Sequence, residues 1–135
     1  MNYGLELFVI KSQDIFSYNR EQAKGDTHNL LKVLMSEHDI NVEEAADRVS
    51  TLCKKSIDTF VRNRELLPSW GGSVDRDVEK YVEGLGSWII GILYWSFKTE
   101  RYFGRDKALI KAAGRVRLIT SAKWRENSDY EEDKL

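Results

Sequence analysis

Gln13-Asp14-Ile15-Phe16-Ser17-Tyr18-Asn19-Arg20-Glu21 sets an amide, a hydroxyl and a carboxylate at steps of four residues. In an α-helix each residue turns ~100° and rises ~1.5 Å, so a step of four drifts only ~40° and Gln13, Ser17 and Glu21 share one face. Three oxygen donors on one face can hold a hard cation. Carboxylates, amide carbonyls and hydroxyls suit Mg²⁺, which keeps waters and is commonly completed by substrate phosphates. The stretch therefore reads as a helix whose polar face is either plainly solvated or able to hold such an ion, and an ion there would point to a phosphate-bearing substrate.

Outward from this stretch the chain reads as all-α. Only one proline, Pro68, interrupts it, and apolar positions recur at three- and four-residue steps. The first helix is expected from about Leu7 to Lys24, with Gly25 as its stop and Asp26 or Thr27 capping the next. A short helix follows from about His28 to Glu37. Asn41-Val42-Glu43-Glu44 makes a capping-box start for a long helix to about Leu67, with Val42, Ala45, Val49, Leu52, Cys53, Ile57, Phe60 and Val61 as its core stripe. Residues 68–72 form a loop, and Ser73 is expected to cap a fourth helix from Val74 to Tyr102. That helix carries Val78, Tyr81, Leu85, Trp88, Ile89, Ile92 and Trp95. Gly84, Gly86 and Gly91 each cost a helix ~1 kcal/mol, which close packing of a neighbour or room for a ligand would offset. Trp88, Tyr94, Trp95 and Phe97 are read as core ahead of cavity lining. Residues 105–135, with a basic stretch Arg115-Val116-Arg117-Leu118 and an acidic end over 129–133, read as a solvated, partly disordered tail to the helical unit at 1–104.

Bulk properties narrow the function. A chain of 135 residues, 41% hydrophobic and 32% charged, suffices for one domain with a modest core. A formal net charge of −1 gives no global basic field for nucleic acid or anionic membrane. The lone Cys53 excludes an internal disulfide, fits a reducing compartment and lies on an apolar stripe as a small buried hydrophobe. The N-terminus shows no secretory signal pattern, and the uncharged apolar run from Gly84 to Phe97 is shorter than the ~20 residues a membrane span needs. These features lead to the expectation of a cytoplasmic, soluble protein. His28 and His38 match no ligand spacing and receive no role.

Two strings taken together carry a resemblance. Residues 14–26, Asp-Ile-Phe-Ser-Tyr-Asn-Arg-Glu-Gln-Ala-Lys-Gly-Asp, are followed by residues 95–104, Trp-Ser-Phe-Lys-Thr-Glu-Arg-Tyr-Phe-Gly. In order and separation they resemble the second half of a fungal, mushroom-type class I sesquiterpene synthase, and Tyr3-Gly4-Leu5-Glu6-Leu7 resembles a stretch further upstream in that family. The resemblance implies part of the class I terpenoid synthase helical bundle, about four main helices here. It implies Mg²⁺ as cofactor and farnesyl diphosphate as substrate, ionised and cyclised to sesquiterpenes. By the same resemblance, Gln13, Ser17 and Glu21 would take one metal ion, and Arg20, Arg101 and Tyr102 would contact diphosphate.

The sequence departs from the family pattern in two ways. The metal motif begins with Asn in the family and with Gln13 here, which keeps the carbonyl and adds a methylene, whereas Mg²⁺ asks for near-ideal octahedral geometry. Asp14, turned ~100° by one residue, is read as facing away from the Ser17/Glu21 side and unable to substitute. The larger departure is that no Asp-rich motif for the other metal ions occurs in these residues. The chain is accordingly expected to be a truncated relative without turnover alone, the stretch from Phe8 to Gln13 reading as a deletion or splice junction. The alternative is a non-enzymatic α-helical remnant or interaction module, with self-association through an apolar face lined by Trp88, Ile92 and Trp95.

Overall fold

A computed structural model describes residues 3–128, with side chains described from Phe8 to Trp124. Among the described residues every regular element is helical: α1 (Tyr3–Lys24), α2 (Leu30–His38), α3 (Val42–Glu65), α4 (Gly72–Lys98), α5 (Glu100–Phe103), α6 (Lys107–Ala113) and α7 (Ser121–Ser128), with a 3₁₀ turn at Gly104–Asp106. The all-α bundle expected from the sequence is present, with α1, α3 and α4 as its long members. The stretch from Phe8 to Gln13 lies inside the continuous α1.

Helix α1 occupies the middle, touching α2, α3, α4, α5 and α7. Its main partner is α3, and the reason lies in α3's stripe. Ala45, Val49 and Cys53 recur at steps of four, and Ala45 and Val49 are wholly buried. Together with Phe8 and Tyr18 of α1, Leu31 of α2 and Ile89 of α4 they form the core. Small residues at 45 and 49 let the two helices approach closely, and burying such side chains contributes ~1.5–3 kcal/mol for each larger one. Val61, at the far end of the expected stripe, is exposed instead, because α3 there runs beyond its neighbours and residues 61–70 all lie at the surface.

Helix ends follow local chemistry, in places one or two residues from the sequence reading. Asn41 and Glu44 form the expected reciprocal capping box, with the Glu44 N–H donating to Asn41 Oδ1 at 3.0 Å and the Asn41 N–H to Glu44 Oε2 at 3.1 Å. The cap of α2 is Asn29 rather than Asp26 or Thr27, its Oδ1 accepting from the Leu31 N–H at 2.9 Å. Ser73 does not cap α4. The chain enters the helix through Gly71 at φ 87°, and Asp75 reaches back to accept from the N–H groups of Trp70 and Gly71 and from Ser69 Oγ.

Helix α4 ends at Lys98 rather than running on to Tyr102. Thr99 adopts extended backbone (φ −64°, ψ 151°) and caps α5 by accepting from the Arg101 N–H. Of Gly84, Gly86 and Gly91, Gly86 alone faces a neighbour at contact distance: an added Cβ would meet the Phe60 ring at 3.9 Å, while Gly84 and Gly91 have nothing within 4 Å. Close packing therefore offsets at most one of the three. The aromatics read as core stand mostly outside it, Trp88, Tyr94 and Trp95 being about half exposed or more. Phe97 instead joins a cluster with Phe16 and Phe103, its centroid 5.2 Å from that of Phe16.

The segment 105–128 carries helices where a solvated tail was expected. It forms α6 and α7, and residues 117–119 lie against α1. The acidic end at 129–133 lies outside the described residues.

Candidate metal and anion site

Continuity of α1 places Gln13, Ser17 and Glu21 one turn apart on the same stripe. Their environments differ. Gln13 is exposed, Glu21 is half-buried, and Ser17 is 8% exposed with an Oγ that has no hydrogen-bond partner. A buried hydroxyl left unpaired costs ~1–3 kcal/mol. The other buried serines of α1 and α3 show what is missing, since Ser12 Oγ donates to the Val9 carbonyl at 3.1 Å and Ser56 Oγ to the Leu52 carbonyl at 3.0 Å.

Glu21 is held from the side by the start of α2. Asn29, 2% exposed, donates through Nδ2 to Glu21 Oε2 at 2.8 Å and to the Asp14 carbonyl at 2.8 Å. The Asp14 carboxylate accepts from the Leu30 N–H at 2.8 Å. Asp14 thus stands beside Glu21, contrary to the reading that it faces away. The physical reason is the choice of origin on the wheel: seven residues turn ~700°, within ~20° of two full turns, so Asp14 is remote from Gln13 but nearly in line with Glu21. Burial raises the Asp14 pKa above the usual carboxylate range, the Leu30 N–H opposes this, and the Glu21 charge adds to the rise.

The basic residues converge on the neighbouring strip of α1. Arg20 donates through Nη1 to the Arg101 carbonyl at 2.8 Å, so α5 abuts α1 beside Ser17. Its guanidinium carbon lies 5.1 Å from the Trp124 ring centroid, and Lys24 Nζ lies 5.0 Å from it. Arg101 is exposed, its guanidinium 5.9 Å from the ring of Tyr102. Tyr102 is 5% exposed and packs on Phe16 and Trp95. Arg20 and the Arg101–Tyr102 pair, 81 residues apart, are therefore adjacent at the backbone of α5.

Sequence reasoning missed four residues that shape this region: Asn29, Asp14, Asn19 and Trp124. Asn19 clamps the C-terminal segment, donating to the Arg117 carbonyl at 3.1 Å and accepting from the Ile119 N–H at 2.8 Å, and Gln22 donates to the Ile119 carbonyl at 2.7 Å. An Asn and a Gln three residues apart on a helix carry no forward signal of a partner almost 100 residues away. Asn29 did carry one, as an Asn directly before an apolar run is a cap signature. No group of three or more His, Cys, Asp or Glu side chains able to hold a metal occurs among the described residues; the donor set here is amide, hydroxyl and carboxylate.

The described residues thus form a helical bundle with oxygen donors on one face of α1 and basic side chains on the adjoining strip. The comparisons with known proteins make this specific. Residues 5–59 match the family model for terpene synthase family 2, C-terminal metal binding. The chain is 49% identical over 122 residues to alpha-muurolene synthase of Coprinopsis cinerea, covering 90% of this chain and 29% of that protein. It is 50% identical over 119 residues to sesquiterpene synthase Agr3 of Cyclocybe aegerita, 88% of this chain and 33% of that protein. Against sesquiterpene synthase 6 of Postia placenta the identity is 48% over 119 residues, 88% of this chain and 35% of that protein. The chain is thus similar to the terpene synthases, its residues 5–59 to their C-terminal metal-binding part, and it spans about a third of the length of the curated relatives it matches.

Proposed function

We propose that this chain carries one metal-binding element and the adjoining diphosphate contacts of a sesquiterpene-forming site, with Mg²⁺ as the metal and farnesyl diphosphate as the substrate. The observation that carries the reading is Ser17: a hydroxyl buried without a partner, on the same helix face as a half-buried carboxylate, within the part of the chain that matches a metal-binding family model. Oxygen donors of this kind fit a hard cation. Gln13, Ser17 and Glu21 would hold the ion, which when bound supplies positive charge to a departing diphosphate.

The chain's own residues supply the rest. Arg20 spends one N–H on the Arg101 carbonyl, which fixes the guanidinium and leaves further donors for phosphate oxygens. Arg101, exposed above the Tyr102 ring, brings a second guanidinium to the same end of α1. The buried Tyr102 ring, wedged between Phe16 and Trp95, seats α5 against α1 and so sets where both cations stand. The names of the relatives support a sesquiterpene as product, and through it a farnesyl substrate.

The half-exposed aromatics of α4, Trp88, Tyr94 and Trp95, favour a second reading in which the chain also associates with itself or another chain through that face.

The test is Mn²⁺ binding, followed by electron paramagnetic resonance, with and without inorganic pyrophosphate. The wild-type chain binds Mn²⁺ and binds it more tightly with pyrophosphate; Ser17→Ala and Glu21→Gln lose the ion; Arg20→Ala loses only the pyrophosphate enhancement. Equal Mn²⁺ binding by wild type and Glu21→Gln would sink the proposal.

A further inference from the structure

We infer that Asn29 is a positioning residue for the metal-ligating carboxylate, tying Glu21 to the N-terminus of α2. The inference rests on the reading of Glu21 as a metal ligand. Asn29 is 2% exposed and satisfies both ends of its amide. Oδ1 accepts from the Leu31 N–H at 2.9 Å and caps α2; Nδ2 donates to Glu21 Oε2 at 2.8 Å and to the Asp14 carbonyl at 2.8 Å. Because the cap fixes χ1 and χ2 of the side chain, the direction of Nδ2 is fixed with it, and so is the oxygen it meets. The tether engages Oε2, and Oε1 is the oxygen offered to an ion.

Asp14 reinforces the arrangement from the other side. Its carboxylate takes the Leu30 N–H at 2.8 Å, so two successive N–H groups at the start of α2 are held by Asp14 and Asn29, and the helix start cannot shift without dragging the Asn29 amide off Glu21. A ligating carboxylate held by an outer hydrogen bond has one orientation to offer. Loss of such outer partners typically costs about 10- to 100-fold in metal affinity.

Capping and positioning separate by chemistry. Ser caps a helix about as well as Asn but has no second donor to reach Glu21. Asn29→Ser therefore keeps the cap of α2 and removes the Nδ2 hydrogen bonds to Glu21 and to the Asp14 carbonyl. Asn41→Ala is the matched control, since it breaks the cap of α3 and touches nothing in the site. Mn²⁺ binding to each variant of the 135-residue chain is measured by titration well below its melting transition, with circular dichroism to show that the fold is kept.

The expected result is a Mn²⁺ dissociation constant raised about 10-fold or more in Asn29→Ser and unchanged in Asn41→Ala. Wild-type affinity in Asn29→Ser, with binding lost in Glu21→Gln, would overturn the positioning role and leave the metal reading standing. Equal weakening in Asn41→Ala would show a general loosening and also overturn it. Wild-type affinity in Glu21→Gln would remove the metal reading and the inference together.

Discussion

Ser17→Ala should stabilise the metal-free chain while weakening its hold on a metal, and the opposed signs make it the sharpest test of the site. The hydroxyl is buried and its Oγ has no partner, a condition that costs ~1–3 kcal/mol. Removing it recovers much of that cost, and alanine adds a few tenths of a kcal/mol of helix propensity at position 17. A net gain of ~1–2 kcal/mol corresponds to roughly 3–10 °C in the melting temperature of a chain this size. Ser56→Ala, whose hydroxyl donates to the Leu52 carbonyl and accepts from Lys11 Nζ, should show no comparable gain. Thermal melts in EDTA give the first half of the test. Adding Mn²⁺ gives the second: at 100 times its dissociation constant a ligand stabilises the native state by ~2.7 kcal/mol, so wild type gains that amount, the variant does not, and the order of the two melting temperatures inverts. A Ser17→Ala chain that melts lower in EDTA and responds to Mn²⁺ as wild type does would refute the reasoning.

Three further outcomes are expected. The purified chain should yield no terpene from farnesyl diphosphate and Mg²⁺, since it contains no Asp-rich motif for further metal ions; gas chromatography of the extract checks this, and a product that disappears in Glu21→Gln would overturn it. The Ser69 hydroxyl first, and then the Trp70 and Gly71 N–H groups, hold the Asp75 carboxyl below the usual carboxylate range. Its contribution is thus present above that range and lost as pH falls through the lowered pKa, so Asp75→Asn should melt below wild type at pH 6 and the gap should close in acid; a gap that does not change with pH would be the contrary result. Burial raises the Cys53 thiol pKa against a smaller opposing effect of Lys11, so iodoacetamide at pH 8 should label it slowly until denaturant is added, and labelling at the rate of a free thiol would contradict its place in the core.

What the sequence disclosed was whatever local chemistry encodes. The Asn41/Glu44 box, the α3 stripe through Ala45, Val49 and Cys53, and the shared face of Ser17 and Glu21 all follow from spacings of three and four residues. The errors share a cause as well. Apolar periodicity continues smoothly from Trp95 through Phe97 to Tyr102, yet Thr99 breaks the helix because its side chain can cap the next one. Asn29 meets Asp14 and Glu21 across 15 and 8 residues of chain, and Asn19 meets Ile119 across 100. Such tertiary pairings leave no trace in a helical wheel. Asp14 was misplaced by arithmetic alone: measured from Gln13 it turns away, and measured from Glu21 it returns.

Ser17 and the outer face of α4 present related physical situations. At Ser17 a polar group is buried without the partner that would compensate it; along α4, Trp88, Ile90, Tyr94 and Trp95 leave apolar surface in water, each between 49% and 69% exposed. Burying side chains of this size contributes ~1.5–3 kcal/mol apiece, comparable with the cost of the orphaned hydroxyl and large beside a domain stability of ~5–15 kcal/mol. Selection for folding of these residues alone would remove both features, with Ala at position 17 and polar side chains on the outer α4 face. Their presence is accounted for if position 17 answers to an ion and the α4 face to a surface it covers. On the proposed reading, function resides where the fold alone is suboptimal, and an ion held at Ser17 and Glu21 would compensate the unpartnered hydroxyl.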